Sequence, residues 1–394
     1  MTTTTTPPRL ASADVYRGFV MLLMMAEVLR FHKVSEALPN SSFWGFVASQ
    51  QDHVSWVGCS LHDLIQPSFS FLVGVVLPYS VASRMSQESS FVKLFGRALW
   101  RSLILILLGI FLRSQWAEQT NFTFEDTLTQ IGLGYPFLFL LGFASKRVQI
   151  GALVVILVGY WAAFAIYPLP DANFDYANAG ALKDWEHNLT GFAAHWNKNT
   201  NLAWAFDRWF LNLFPRAEPF LHNRGGYATL SFIPTLGTML LGLVAGNLLK
   251  SNKKQQDKLK IFIILGVSGL VLGLFLNWSG ICPNVKRIWT PTWVLFSGGW
   301  CFLLLSFFYW TVDILQKRNW FFILTVIGMN SIAAYVIADG FNSYVSSSLK
   351  IHLGQNYAAI FGEPYQTLVH GFLILLIDWL ILRWMYNRKL FIRI

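Results

Sequence analysis

Apolar residues dominate ten stretches of the chain, each close to the length that crosses a lipid bilayer as an α-helix. A membrane-spanning helix needs about 20 largely apolar residues, since each residue advances it by about 1.5 Å. Prolines inside several stretches do not disqualify them, because neighbouring helices or water can satisfy the carbonyls that proline leaves free. The pattern predicts helices at roughly residues 14–31, 61–83, 98–113, 127–145, 148–168, 229–249, 259–277, 291–315, 320–340 and 366–385.

Composition favours one membrane domain over several soluble ones. Of the 394 residues, 54% are apolar and 13% charged, and the mean hydropathy is +0.46, whereas soluble domains carry about 25% charged residues. The formal charge of +10 would suggest nucleic acid for a soluble protein, but in a membrane protein it reflects cytoplasmic loops facing anionic lipids. The three cysteines lack metal-ligand spacing, so we expect no metal. We predict an all-α polytopic bundle of about ten membrane helices, forming a single domain over residues 1–394, with membrane lipids and no nucleic acid as partners.

The distribution of basic residues predicts the orientation. With the N-terminus inside, the cytoplasmic side holds 19 of the 30 lysines and arginines, and an excess of this kind in short loops is typical of the cytoplasmic face. Both termini are therefore expected in the cytoplasm. Residues 169–228 then form a long outer loop, inserted within the domain and rich in Trp, Asn, Asp and His. Its aromatic content argues against disorder, and it is either a carbohydrate-binding face or an interfacial belt lying on the membrane.

Polar residues at the outer start of the second predicted span are unusual for a membrane segment. Ionisable groups in a membrane are costly and by default mark function or a buried pair. Asp63, Gln66, Ser70 and Gly74 recur at spacings of three and four, which predicts one stripe facing the bundle interior. Such a stripe either lines a cavity or lets another helix approach closely. Asp63 can also serve simply to complement the helix dipole.

Three residues near this stripe are candidates for a chemical role. His53 precedes the span and His62 lies next to Asp63, and an imidazole can act as nucleophile or general base near neutral pH. Adjacent helical residues point about 100° apart, so the sequence neighbours His62 and Asp63 need not pair. The residues alone do not decide which of the two histidines has the chemical role, and either can instead be a hydrogen-bonded loop residue. Cys59 is interpreted as a small buried residue, because nothing in the sequence places a base beside it.

No G-x-x-x-x-G-K-[ST] or G-x-G-x-x-G phosphate loop occurs in the chain. A nucleotide would therefore have to be held by scattered basic residues such as Arg97 and Arg101, which otherwise serve as cytoplasmic anchors. Other polar residues within predicted spans are Gln130, Asn330 and Ser331.

Several motifs together resemble one enzyme family. Residues 8–18 read P-R-L-A-S-A-D-V-Y-R-G, which is similar to the P-R-L-x-S-x-D-x-[FY]-R-G opening of the heparan-α-glucosaminide N-acetyltransferase family. Residues 53–67 match its H-x-x-W-x-G-x-[ST]-x-x-D-L-x-x-P stretch without a gap. Shorter matches follow in the same order at 100–102, 130–132, 328–331 and 388–391. The similarity spans the chain except the loop at 169–228.

The resemblance implies a multi-pass acetyltransferase that takes acetyl groups from cytosolic acetyl-CoA and passes them to an amino sugar across the membrane. The family's catalytic histidine falls on His53 and its second-span carboxylate on Asp63, which selects His53 over His62. The CoA phosphates are expected near basic residues at the inner helix ends, with the pantetheine arm in a cavity lined by Gly74 and Gly132. The predicted donor contacts are Arg97, Arg101, Gln130 and Lys146, and the predicted oxyanion donors are Asn330 and Ser331.

The chain departs from the family pattern at two positions: Glu27 stands where an asparagine is expected, and Ile131 where the animal enzymes have arginine. With the divergent outer loop, these differences indicate a bacterial relative in the inner membrane with an acceptor other than heparan, an amino sugar or other glycan. The sequence does not decide whether the protein forms a homodimer. The alternative function is a sugar or amino-sugar permease with the same architecture, and a lipid-facing scaffold is a third.

Overall fold

The computed structural model describes residues 10–85 and 90–392, within which the chain folds into 15 α-helices. Pro8 and Arg9 of the opening motif, Arg393 and the side chain of Arg84 lie outside the described part. In chain order the helices are α1 (Ala11–Met25), α2 (Phe31–Ala37), α3 (Ser42–Gln51), α4 (Ile65–Met85), α5 (Phe91–Arg113), α6 (Thr127–Gly142), α7 (Lys146–Ile166), α8 (Leu202–Phe210), α9 (Phe232–Lys250), α10 (Gln255–Trp278), α11 (Pro291–Phe308), α12 (Phe322–Met329), α13 (Ser331–Gly340), α14 (Asn342–Leu353) and α15 (Gln366–Asn387).

Short helical turns extend several of these helices or lie in the loops. A π-helical turn, Tyr309–Ile314, continues α11. The 3₁₀ turns are Ala26–Leu29, His62–Leu64, Gly191–Trp196, Leu211–Leu213, Thr229–Ser231, Arg318–Phe321, Ala359–Phe361 and Glu363–Tyr365.

The prediction of a polytopic all-helical bundle is confirmed, and the predicted number of spans is approximate. Seven helices in the described residues are long and apolar enough to cross a membrane. The consecutive pair α12 and α13, bent by 69°, makes an eighth if it counts as one span. The remaining two predicted stretches are also helical but shorter, with 15 residues in α1 and 16 in α6.

Three helices form the centre of the bundle. The apolar windows of α4, α9 and α11 are 61%, 67% and 67% buried, against 17% for both α7 and α10. The peripheral helices expose apolar side chains because lipid, unlike water, solvates them at no hydrophobic cost. Most of the predicted polar stripe, from Gln66 to Gly74, lies on α4, one of these three central helices.

Glycine allows α4 and α9 to pack in backbone contact. A Cβ added at Gly74 would lie 1.9 Å from the carbonyl oxygen of Met239, and one at Gly242 would lie 1.9 Å from that of Phe71. Close helix approach, one of the two interpretations of the stripe, is therefore what Gly74 provides. The prediction that Gly74 and Gly132 line a cavity is wrong, because a Cβ at Gly132 would meet Ile106 and the Ser102 carbonyl at 2.7 and 2.9 Å.

The long loop at 169–228 is folded and packs against the bundle. It contains α8, and its Trp196 is fully buried in a cluster with Trp56, Tyr160 and Phe164. The indole of Trp56 donates a hydrogen bond to the Trp196 carbonyl at 3.1 Å. Neither a carbohydrate face nor a membrane belt explains Trp196, whose role is to hold the loop beside the segment that carries His53.

Cysteine labelling tests the predicted orientation. We expect a membrane-impermeant maleimide added to intact cells to modify Lys183→Cys in the outer loop, but not Lys254→Cys between α9 and α10. Both lysines are exposed, so a difference in labelling reports the side of the membrane rather than burial. Unsubstituted protein measures the background from the three native cysteines. Labelling at residue 254 alone would invert the orientation.

Candidate active site

Two loops that are far apart in sequence meet at the end of the bundle where α4 begins. The segment after α3 carries His53 and runs to the 3₁₀ turn His62–Leu64, and the second loop joins α10 to α11. Val57 and Val285 form an antiparallel bridge, and the Gly58 amide donates to the Asn284 carbonyl at 3.1 Å. This pairing places Lys286 beside Asp63.

The Asp63 carboxylate is the centre of the site. Its side chain is 1% exposed, and both oxygens are engaged. Oδ1 accepts from His53 Nδ1 at 2.7 Å and from Lys286 Nζ at 3.1 Å. Oδ2 accepts from the Ser60 amide and hydroxyl, both at 3.1 Å, and from the Val54 amide at 3.3 Å. A carboxylate with this many donors is held ionised and in one orientation.

The contact with Asp63 determines what His53 can do. Because Asp63 accepts the Nδ1 hydrogen, Nε2 is left with its lone pair in the neutral ring. The His53 side chain is 38% exposed, so the ring joins a buried carboxylate to the open surface. A neutral imidazole oriented in this way can remove a proton or attack a carbonyl carbon.

The other two candidates of this segment do not contact the Asp63 carboxylate. His62 is buried, with its ring centroid 4.8 Å from that of His53. The buried His62 ring therefore packs against the His53 ring and supports its position. Burial raises the pKa of the Cys59 thiol to about 12, so this cysteine is not a thiolate nucleophile at neutral pH.

Lys286 is a site residue that the sequence interpretation missed. Its side chain is 6% exposed, and Nζ lies 3.2 Å from His53 Nδ1 as well as 3.1 Å from Asp63 Oδ1. Burial lowers the pKa of the Lys286 amine, and the Asp63 charge opposes that shift. A signal was present in the sequence, since Lys286 and Arg287 are adjacent basic residues in a short loop on the predicted outer side, against the usual bias.

Arg287 links the site to the long loop at 169–228. Its guanidinium donates to the Gly225 carbonyl at 2.6 Å and to the Val54 carbonyl at 3.1 Å. Gly226, at φ +79°, has no room for a side chain, because a Cβ would lie 2.7 Å from the Trp56 ring. The loop at 169–228 therefore borders the cluster of His53, Asp63 and Lys286, called the His53 cluster below.

The predicted oxyanion donors belong to a different part of the bundle. The Asn330 amide nitrogen donates to the Leu390 carbonyl at 2.9 Å, and its oxygen accepts from the Ile392 amide at 3.2 Å. Asn330 thus holds the C-terminal segment at the break between α12 and α13, and Ser331 begins α13. The contacts that assemble the His53 cluster involve neither residue, and their role as oxyanion donors stays a prediction.

The predicted donor contacts are spread along the length of the bundle. Arg97 and Arg101 are on α5, and the Arg101 guanidinium donates to the Tyr135 hydroxyl at 3.3 Å. Lys146 is exposed at the start of α7. Gln130 is buried in the first turn of α6, where its amide donates to the Phe124 and Thr229 carbonyls at 2.6 and 3.2 Å. At about 1.5 Å per residue, α6 separates Gln130 from Lys146 by roughly 20 Å, so the four do not form one cluster.

A charge-preserving and a charge-removing substitution test the role of Lys286. In Lys286→Met the buried Asp63 carboxylate loses its cationic partner, so we expect the free energy of unfolding to fall by about 3–5 kcal/mol. Lys286→Arg keeps the charge and should lose less. Thermal unfolding of the two variants measures the difference. A Lys286→Met protein as stable as the unsubstituted one would show that the ion pair with Asp63 contributes nothing to stability.

The fold and the site together define a polytopic helical membrane protein with a histidine–aspartate–lysine cluster at one end of its central helices. The sequence is 26% identical to human heparan-α-glucosaminide N-acetyltransferase over 405 residues, covering 90% of this chain and 57% of the human protein. It is 25% identical to the mouse protein of the same name over 404 residues, covering 89% of this chain and 58% of that protein.

The chain is a relative of the heparan-α-glucosaminide N-acetyltransferases, which confirms the resemblance drawn from its motifs. It spans less than two thirds of the length of these two relatives. No protein-family model matches the sequence.

Proposed function

We propose that the chain is a transmembrane N-acetyltransferase that moves an acetyl group from cytosolic acetyl-CoA to the amine of an amino sugar or glycan on the extracytoplasmic side. The observation that carries this proposal is the 2.7 Å contact of His53 Nδ1 with the buried Asp63 carboxylate, on a chain whose curated relatives are named as N-acetyltransferases. A bacterial inner membrane with both termini in the cytoplasm is part of the proposal.

His53 supplies the base for the reaction. An amine attacks only when unprotonated, so the acceptor must lose a proton at or before attack on the thioester carbonyl. His53 Nε2 takes that proton, and Asp63 stabilises the imidazolium through Nδ1. The new C–N bond forms as the C–S bond breaks, and the thiolate of CoA leaves and is protonated.

Direct transfer is the simpler of two routes. In the other, His53 Nε2 first takes the acetyl group and then passes it to the amine. We favour direct transfer, because it requires no covalent intermediate and a single base suffices. Arg97 and Arg101 in the N-terminal half of α5 and Lys146 at the start of α7 are our proposed contacts for the CoA phosphates, since cationic side chains suit phosphate oxygens.

Proteoliposomes with acetyl-CoA on one side only provide the test. Radiolabelled acetyl-CoA is sealed inside vesicles that contain the full chain, and free glucosamine is added outside. We expect acetylated glucosamine to accumulate outside. A permease would instead carry radiolabelled glucosamine inward, unmodified and without acetyl-CoA. Uptake with no acetylation would replace the proposed function with that alternative.

A further inference from the structure

An almost entirely apolar cavity lies where α15 begins. It has a volume of about 790 Å³ and is bounded on one side by Leu29 and Phe31 and on the other by the first turns of α15, including Leu368 and Phe372. Such a volume falls within the range of small-molecule sites. Phe372 is 57% exposed, and α15 is one of the peripheral helices, so the cavity opens towards the lipid.

One edge of the cavity is polar and basic. His370 on α15 contacts the Ser346 hydroxyl at 2.9 Å through Nε2 and the Tyr357 hydroxyl through Nδ1. Arg30 is exposed between the lining residues Leu29 and Phe31, and Lys350 is exposed on α14, the helix that also carries Ser346. An apolar cleft with cations at its edge complements a lipid whose headgroup is anionic.

Hydrogen bonds connect the wall of the cavity to the segment that carries His53. Gln51 at the end of α3 accepts from the Phe31 amide at 2.9 Å and donates to the Ala26 carbonyl at 2.7 Å. His53 follows two residues later, within about 7 Å along the chain. The wall of the cavity at Phe31 and the segment that carries His53 are therefore held close to each other.

We propose that this cavity binds the hydrocarbon chain of a phosphate-linked amino-sugar lipid, and that this lipid is the acetyl acceptor. The choice of an amino sugar rests on the proposed function. The hydrocarbon chain of the lipid enters from the outer leaflet beside α15. Its phosphate lies near Arg30 and Lys350, and the sugar amine reaches Nε2 of His53. The acceptor then stays in the membrane throughout, which makes a water-soluble sugar the poorer substrate.

Two acceptors and two leucine-to-tryptophan variants of α15 test the proposal. The acceptors are prenyl-phosphate glucosamine and free glucosamine. Leu368→Trp fills the cavity, whereas Leu380→Trp is the matched control, since Leu380 is 48% exposed on the same helix and does not line the cavity. We expect Leu368→Trp to lower kcat/KM for the lipid acceptor about tenfold, the equivalent of about two methylene groups no longer buried. Free glucosamine should be affected by neither variant.

Binding is measured separately with a photoactivatable prenyl-phosphate glucosamine and the full chain in phospholipid nanodiscs. We expect cross-links within residues 357–373, lost in Leu368→Trp and kept in Leu380→Trp. Cross-linking without acetyl transfer would support the cavity as a site for this lipid while overturning the proposed function.

Three results would overturn the lipid site. The first is cross-linking that is absent or equal in both variants. The second is cross-linking abolished by bulk phospholipid, which would mean an ordinary membrane-lipid site. The third is a change of oligomeric state in Leu368→Trp with unchanged cross-linking, which would assign the cavity to a second copy of the chain.

Discussion

Acetyl transfer should fall by about two to four orders of magnitude in His53→Ala, the range by which a positioned general base accelerates a reaction. His53 is the exposed partner of a buried carboxylate, whereas His62 and Lys286 are buried. The substitution removes the base. It keeps the hydrogen bonds of Asp63 with Lys286, Ser60 and Val54, and the hydrogen bond of Arg287 with Val54. Acetyl-CoA binding and thermal stability should therefore change little. Single-turnover transfer and calorimetric titration of the donor provide the two measurements.

His62→Ala is the matched control for this variant. His62 packs against the His53 ring but makes no contact with the Asp63 carboxylate, so its loss should lower the rate less than about tenfold, by loosening the ring rather than removing the base. If His53→Ala stays active and His62→Ala does not, the catalytic residue is His62. A His53→Ala protein that no longer binds acetyl-CoA would assign His53 to binding instead of proton transfer.

The second large effect is expected for Asp63→Asn, with a fall in kcat of about 10²- to 10⁴-fold. The asparagine amide can present N–H to His53 Nδ1, which moves the ring hydrogen to Nε2 and leaves no base facing the acceptor. The change also leaves the buried Lys286 ammonium without its counter-charge, an arrangement that costs roughly 3–5 kcal/mol in stability. Activity and thermal unfolding should both be measured.

The double variant Asp63→Asn/Lys286→Met separates these two effects. Removing the unpaired cation should restore much of the lost stability, as replacing a broken buried pair by apolar groups does, while the rate stays low because the ring tautomer is still wrong. Recovery of the rate together with stability would show that Asp63 acts only as a structural anchor and not through His53.

Much of this protein follows from local sequence properties. Each of the ten apolar stretches is helical, because the length and apolarity of a segment suffice to decide its behaviour in a bilayer. The pair of His53 and Asp63, ten residues apart, was identified from residue chemistry and motif resemblance, and the loop between them does fold back to a 2.7 Å contact. Both inferences depend on residues that are near one another in the chain.

Other features were decided only by tertiary structure. Lys286 reaches Asp63 across 223 residues because the loops at 53–60 and 282–290 pair, and no local pattern encodes that pairing. Gly74, predicted to line a cavity, instead meets the α9 backbone, since spacing identifies the face of a helix but not what lies opposite. Trp196, in the long loop at 169–228, is buried in one cluster with Trp56, which donates a hydrogen bond to its carbonyl. In each case the partner comes from a distant segment, and burial is a property of both surfaces that only the packed fold brings together.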